Sequence, residues 1–309
     1  MGALVVIGNF DGVHRGHREV LEGAVLEAET LGLEPRLLTF SPHPAAVLGR
    51  RPPALLTNQR RKRELVQRVS PRIQFDEERF DLAYAAQSPE EFARRLRDSH
   101  EARRVVVGKN FRFGKGREGD FERLVELGAA LGFSARYESI RGDARGAWSS
   151  TRARAAIAAG DLEEVLAVLG RPHALSGTVV RGKQLGRTLG FPTCNLANVA
   201  EAPVPFGVYA VTVDQVTHER ARALGRGAMS VGTNPTTDGD SSVKVEVYLL
   251  DLDLDLYGAE LRVHVLERLR GEERFDSLEA LVQQMHDDVA RARAITSKCQ
   301  PDPQTSAFG

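Results

Sequence analysis

The residues best suited to phosphate chemistry stand at the start of the chain. His14 and His17 are three apart, directly after Gly8-Asn9-Phe10-Asp11-Gly12. At that spacing both imidazoles lie on one face of a helix start. Two hydrogen-bond donors aimed at a helix N-terminus, where the backbone adds partial positive charge, suit a phosphoryl oxygen that gains charge during reaction. The neighbouring elements have to position them. Ala3 to Ile7 is apolar and mostly β-branched, as in a strand buried on both faces. From Gly16 to Leu31 the residues Val20, Leu21, Ala24, Val25, Ala28 and Leu31 form one helical stripe. Strand, glycine turn and helix start are how α/β folds hold a phosphate. The lysine of a P-loop and the three-glycine dinucleotide fingerprint are both missing. The plain alternative is a surface helix with two solvated histidines.

Further candidates recur where strands should end. Arg36–Phe40 reads as a strand stopped by Ser41-Pro42-His43-Pro44, a rigid loop at a carboxyl strand end. Val105–Val107 runs into Gly108-Lys-Asn-Phe-Arg-Phe-Gly-Lys-Gly-Arg117, a glycine-rich basic loop that on its own is a weak phosphate signal. Trp148-Ser-Ser-Thr-Arg-Ala-Arg154 offers hydroxyls capping a second helix, with Arg152 and Arg154 in its first turns. Taken alone, the segment is better read as a plain N-cap. Later, Thr193 and Asn195 alternate along a strand and point to one side, as oxygen ligands for Mg²⁺ would; ordinary turn polars in a glycine-rich hairpin are the alternative. Glu246 sits among apolar neighbours in the alternating strand Lys244–Leu250.

Composition narrows the class. At 309 residues with 42% hydrophobic and 27% charged side chains, the chain has room for two soluble domains. No apolar run spans a membrane, and the start lacks the basic region of a secretion signal. Two cysteines, Cys194 and Cys299, make neither a disulfide framework nor a zinc site, which fits a reducing cytoplasm. The net charge is zero and nearly balanced within each half, against nucleic-acid binding. Arg60-Arg61-Lys62-Arg63 is read as a solvated helix face. Helix–strand alternation through residue 168 predicts a doubly wound α/β domain over 1–168. Six short alternating runs predict an all-β barrel over 172–293, with a final helix capped by Asp276 and a disordered tail over 294–309. Ser88-Pro-Glu-Glu91 predicts a capping box.

Gly8 to His17 resembles the HxGH signature of nucleotidylyltransferases, and in this longer form the bacterial bifunctional riboflavin kinase/FMN adenylyltransferases, or FAD synthetases. About six ordered motifs over residues 3–293 carry the resemblance. It implies a Rossmann-like nucleotidylyltransferase domain followed by a six-stranded riboflavin kinase-like barrel. In the first domain it implies that His14 and His17 stabilise charge. Gly8, Asn9, Phe10, Asp11, Gly12, Ser150, Thr151 and Arg154 would bind nucleotide, and Phe40, His43, Pro44, Asn110 and Phe113 flavin. In the second, within residues 177–195, Gly182-x-x-x-Gly186-Arg187-x-x-Gly190-Phe-Pro-Thr-Cys-Asn195 resembles the kinase motif. It implies nucleotide contacts at Gly177, Gly182, Lys183 and Gly190, and Mg²⁺ on Thr193 and Asn195. Asn234, Arg270 and Phe275 fall in segments that resemble flavin-site loops, and Glu246 would be the base for the ribityl hydroxyl. The implied co-substrate is ATP, with riboflavin, FMN and FAD as substrates and products. Partners are small molecules, with a weak homo-oligomer left open. Ala153, Cys194 and Gly271 depart from the family pattern. The first strand also begins almost at Met1, where a short segment is usual: either the start is misassigned, or the edge of the first domain is trimmed, which is expected to lower its stability before it touches the motifs. Rival readings are a paralogue for a flavin analogue, an enzyme with one activity, and a flavin-trapping sensor.

Overall fold

The first unit is built around β1 (Ala3–Ile7), whose five residues are all buried. Chain order continues α1 (Arg15–Leu31), β2 (Glu34–Ser41), α2 (Pro44–Val47), α3 (Gln59–Val69), β3 (Gln74–Arg79), α4 (Leu82–Ala85), α5 (Pro89–Asp98), β4 (Ala102–Gly108), α6 (Phe121–Leu131) and β5 (Ser134–Glu138). A short hairpin, β6 (Gly142–Asp143) and β7 (Gly146–Ala147), follows. This is a computed structural model describing residues 2–139, 141–182, 185–218, 220–233, 243–303 and 305–309.

The main sheet is parallel, in the order β3-β2-β1-β4-β5. Because side chains alternate along a strand, β1 feeds two cores. Ala3, Val5 and Ile7 join Phe92, Leu96 and Leu124 from α5 and α6. Leu4 and Val6 join Leu21, Ala24, Leu65 and Val66 from α1 and α3. Helices on both faces make the doubly wound layer the sequence predicted. The box at Ser88 is present, with Ser88 and Glu91 each accepting the other's backbone N–H.

The basic run opening α3 differs from its expected solvated face. Arg61 and Lys62 are buried. Arg61 pairs with Glu64 at 3.2 Å, and burial pushes the Lys62 ammonium down while Asp11 and Glu77 pull it back.

Packing groups Met1–Pro53 with Gln59–Ser150, and Ala54–Asn58 with Thr151–Gly309. In the second unit come α7 (Ser150–Ala159, whose first residue belongs to the first unit), α8 (Leu162–Leu169), β8 (His173–Val180), α9 (Leu185–Thr188), β9 (Thr193–Ala197), β10 (Gly207–Val216), β11 (Ala221–Thr233), β12 (Val243–Leu249), β13 (Glu260–Arg270) and α10 (Leu278–Thr296). Six strands close an antiparallel barrel in the order β10-β11-β12-β9-β8-β13. In β12, Val245, Val247 and Leu249 are buried while Lys244, Glu246 and Tyr248 alternate with them on the other face.

The cap of α10 is Ser277, not Asp276: the helix starts at Leu278, and the Ser277 hydroxyl lies under the Ala280 N–H at 3.1 Å. In place of a disordered tail after 293, the helix runs on to Thr296. Ala307 is buried, and the Phe308 N–H donates to Asp214 Oδ1 at 2.8 Å.

Candidate functional site

In the first unit, β1 delivers the chain to a turn that is strained. Phe10 (φ 46°), Gly12 (φ 85°) and Val13 (φ 37°) all lie in the left-handed region. Gly12 accepts that without penalty, whereas the two side-chain-bearing residues store on the order of 1–3 kcal/mol each. The Ser150 hydroxyl donates to the Asp11 carbonyl at 2.8 Å, and the Thr39 hydroxyl to the Asn9 carbonyl at 3.3 Å. So held, the turn presents His14 as the N-cap of α1. Its Nδ1 accepts the His17 backbone N–H at 3.2 Å, which leaves the ring proton on Nε2. The two imidazoles stack at 3.6 Å, with Phe10 4.5 Å from His17. His14 is buried and His17 half-buried.

A cavity of about 540 Å³ lies against the carboxyl ends of β1, β2 and β4, where open α/β sheets take their ligands. It gathers the motif residues Gly8, Asn9, Phe40, His43, Pro44, Asn110 and Phe113. His43 caps α2 through Nδ1, which accepts the Ala45 N–H at 3.1 Å; its Nε2 lies 3.1 Å from the Asn9 amide. Sequence reading missed Phe80, Tyr84, Phe92 and Phe111, which with Phe40 and Phe113 make the walls aromatic. Phe40, Phe80 and Tyr84 pack at 5.3–5.8 Å between ring centres, and Phe111 stacks on Phe113 at 5.6 Å. The aromatic spacing around Phe80 and Tyr84 was the available signal. His14 and His17 are not among the lining residues, and Gly8 and Asn9 link cavity and turn.

Thr151 and Arg154 fall in the second unit. Thr151 is exposed, and the Arg154 guanidinium donates to the Ala54 carbonyl at 2.7 Å. Arg152 is paired with Glu164 at 2.5 Å.

In the barrel, register decides which side chains meet. Asn195 pairs with Glu246, and Thr193 with Tyr248, so all four project from one face. Gly182 is needed here: a Cβ would lie 2.4 Å from the Asn195 amide nitrogen. Cys194 falls on the opposite face, and burial pushes its thiol up. Glu246 is partly covered, with Lys244 Nζ at 2.8 Å.

A cavity of about 290 Å³ lies beside this face, lined by Thr193, Glu246, Tyr248 and Arg270. Leu281, Met285 and Val289, an i, i+4, i+8 stripe of α10, line it too; that periodicity was legible, but as core. Phe191 also lines it, edge-on to Tyr248 at 5.4 Å and His286 at 5.0 Å. Arg270 is held by Asp288 through two nitrogens at 2.9 Å and sits over Phe275 at 5.5 Å. Phe275 itself does not line the cavity.

A second cavity, about 230 Å³, is lined by Pro192, Cys194, Asp253, Asp255 and Tyr257, and again by Thr193. Thr193 therefore borders both. Gly177 pairs with Leu261 inside the barrel sheet, and Gly190 turns the chain ahead of β9 at φ 86°. Lys183 and Asn234 lie outside the described residues. Among the described residues, no three His, Cys, Asp or Glu side chains are arranged to hold a metal, and no helix is long and apolar enough to cross a membrane.

Comparison with known proteins gives the same two-part division. A family model described as FAD synthetase matches residues 1–152, and one described as riboflavin kinase matches residues 169–296. The bifunctional riboflavin kinase/FMN adenylyltransferase of Escherichia coli (strain K12) is 36% identical over 302 residues, covering 97% of this chain and 95% of that protein. The protein of the same name from Bacillus subtilis (strain 168) is 30% identical over 296 residues, covering 94% and 91%. A crystal structure from Streptococcus pneumoniae, described as a macrolide-efflux protein, superposes with a TM-score of 0.77 at 30% identity, over 93% of this chain and 92% of that one. With both halves matched in order and near-complete coverage on either side, the chain belongs to the bifunctional riboflavin kinase/FMN adenylyltransferase family.

Proposed function

We propose that the barrel phosphorylates riboflavin to FMN and that the α/β unit joins FMN to AMP, giving FAD. The observation that carries this is the convergence of seven motif residues from three separate segments on one aromatic cavity beside the His14–His17 turn. Flat aromatic walls suit an isoalloxazine ring, and about 540 Å³ lies within the usual range for a ligand pocket. The FMN phosphate attacks the α-phosphorus of ATP in line, and pyrophosphate leaves. His14, His17 and the N-terminus of α1 stabilise the charge that develops, with no covalent intermediate.

In the barrel, riboflavin takes the cavity under α10 and ATP the neighbouring one, so that the γ-phosphoryl group meets the ribityl hydroxyl beside Thr193. Glu246 takes the hydroxyl proton. Thr193 and Asn195 fit Mg²⁺: they are neutral oxygen donors on one face, and a cation so held completes its shell with water and phosphate oxygens. Bound there, it would neutralise charge on the transferring phosphoryl group. Gly177, Gly182, Lys183 and Gly190 belong to the nucleotide side. Arg270 acts from the flavin side, with Phe275 beneath it, and Asn234 is assigned to the flavin by its motif. The motifs bound the two catalytic parts at 1–168 and 172–293, whereas packing groups Thr151 onward with the barrel and the last helix runs to Thr296. Balanced charge and the cysteine pattern favour a cytoplasmic enzyme of small molecules, with no nucleic-acid or membrane partner.

The test is a time course of riboflavin, ATP and Mg²⁺ with the purified protein, separated by chromatography. FMN first and FAD later is the expected result. FMN alone would overturn the reading of the α/β unit, and neither product from folded protein would overturn both.

A further inference from the structure

Beside the aromatic wall lies a chain of charges, centred on the buried His100, that the two reactions do not use. Asp76 and Glu78 project from edge strand β3, Arg95 from α5, and His100 from the loop before β4. His100 Nδ1 is 3.2 Å from Asp76 Oδ2 and its Nε2 is 3.0 Å from Glu78 Oε1. The His100 side chain is only 6% exposed. A neutral imidazole has one N–H, and ionised carboxylates only accept, so both contacts are satisfied together only by an imidazolium. Glu78 in turn accepts the Arg95 Nε–H at 2.9 and 3.0 Å. The Arg95 guanidinium lies 5.3 Å from the centre of the Tyr84 ring, and Tyr84 lines the cavity. From the other side, Asp81 Oδ1 accepts the Tyr84 N–H at 2.8 Å. The remaining charges on the cluster are Arg36, 4.0 Å from Asp76, and Glu34 and Glu101, which pair with Arg36.

We infer that His100 is a positioning residue for flavin binding in the α/β unit: as an imidazolium clamped between Asp76 and Glu78, it fixes Arg95 and through it the Tyr84 wall of the cavity. The inference rests on the reading of that cavity as the FMN site. A planar cation over an aromatic face holds the ring's tilt, and a wall held before the ligand arrives spares binding the loss of side-chain freedom. His100 touches no substrate, so its effect belongs in FMN binding and not in the chemical step.

The experiment measures FMN-to-FAD kinetics for the whole enzyme and for His100→Gln, with riboflavin phosphorylation by the barrel as the folding control. Expected is a rise in KM for FMN of about tenfold, the scale of one lost ring contact, with kcat and the kinase rate unchanged. Wild-type KM should also climb as pH passes about 9, where His100 loses its proton, and the variant's should stay flat there. Should His100→Gln fold poorly, Arg95→Gln, at a partly exposed position, makes the same test of the Tyr84 clamp. An unchanged KM in a folded variant, or a fall in kcat alone, overturns the inference. Phe40→Ala and Tyr84→Ala separate it from the cavity assignment: if neither alters KM for FMN, the FMN site itself is misplaced.

Discussion

At the residue scale, Glu246 and His17 are the side chains on which the two proposed sites can be tested. Glu246 shares a face with Thr193 and Asn195 through strand register, and a positioned base contributes about 10²–10⁴-fold to a proton transfer. Glu246→Ala should lower riboflavin phosphorylation by that factor and leave FMN-to-FAD conversion at the wild-type rate; loss of both activities in assays of each step would reject two independent sites. His17→Ala should show the opposite pattern. In the proposed adenylyl transfer the stacked His14–His17 pair meets developing phosphoryl charge, and removing one such donor costs about 10²–10³-fold. Full-rate FAD synthesis by the variant would show that the opening turn has another task. Both side chains could be named from sequence because their motif contexts are local. That His14 caps α1 with Nδ1 could not, because the cap depends on φ angles at Phe10 and Val13 that side-chain-bearing residues seldom adopt.

At the element scale, α5 joins structure to site. Its capping box was legible as Ser-Pro-Glu-Glu and forms as expected. Ser88→Ala should lower the stability of the first unit by about 1 kcal/mol, read as a lower thermal midpoint for loss of FAD synthesis. The ions on β3, α5 and the His100 loop give that unit a pH window. Burial opposes the charge on His100, but hydrogen bonds to Asp76 and Glu78 push it up to about 9. Its contribution is therefore complete below about 6.5, the unfolded value, and is lost as pH rises through about 9. Burial likewise opposes the Glu78 charge, yet hydrogen bonds from neighbours including His100 and Arg95 hold its carboxyl down to about 2. That contribution is present above the ordinary carboxylate range and is lost as pH falls toward 2. Thermal melts should therefore lose stability between pH 7 and 10 in the wild type, with a smaller loss in His100→Gln. Equal slopes would mean that His100 is not held as an imidazolium.

At the scale of the whole molecule, chelation separates the chain's own contribution from that of a bound cation. Excess EDTA should stop FMN formation from riboflavin and ATP, and added Mg²⁺ should restore it. Thr193→Val should raise the Mg²⁺ needed for half-maximal rate without altering the fold, as followed by circular dichroism. An unaltered Mg²⁺ requirement would remove Thr193 from the metal's shell.

Sequence by itself determined the two-part architecture, because buried parallel strands, amphipathic helices and alternating barrel strands carry different hydrophobic periods. The candidate chemistry-bearing residues could be picked out there as well, since turn, cap and glycine motifs are local. Tertiary structure alone decided which of them meet. Gly8, Phe40, His43 and Asn110 are distant in the chain and converge because parallel strands end together at one edge of the sheet. Thr193 borders two cavities because β9 pairs with β12 in one register. The ions beside the aromatic wall were invisible to pattern, as was the burial of Arg61 and Lys62. His100 meets carboxylates of β3 and Lys62 faces Asp11 and Glu77, and no local period records a charge satisfied across a fold.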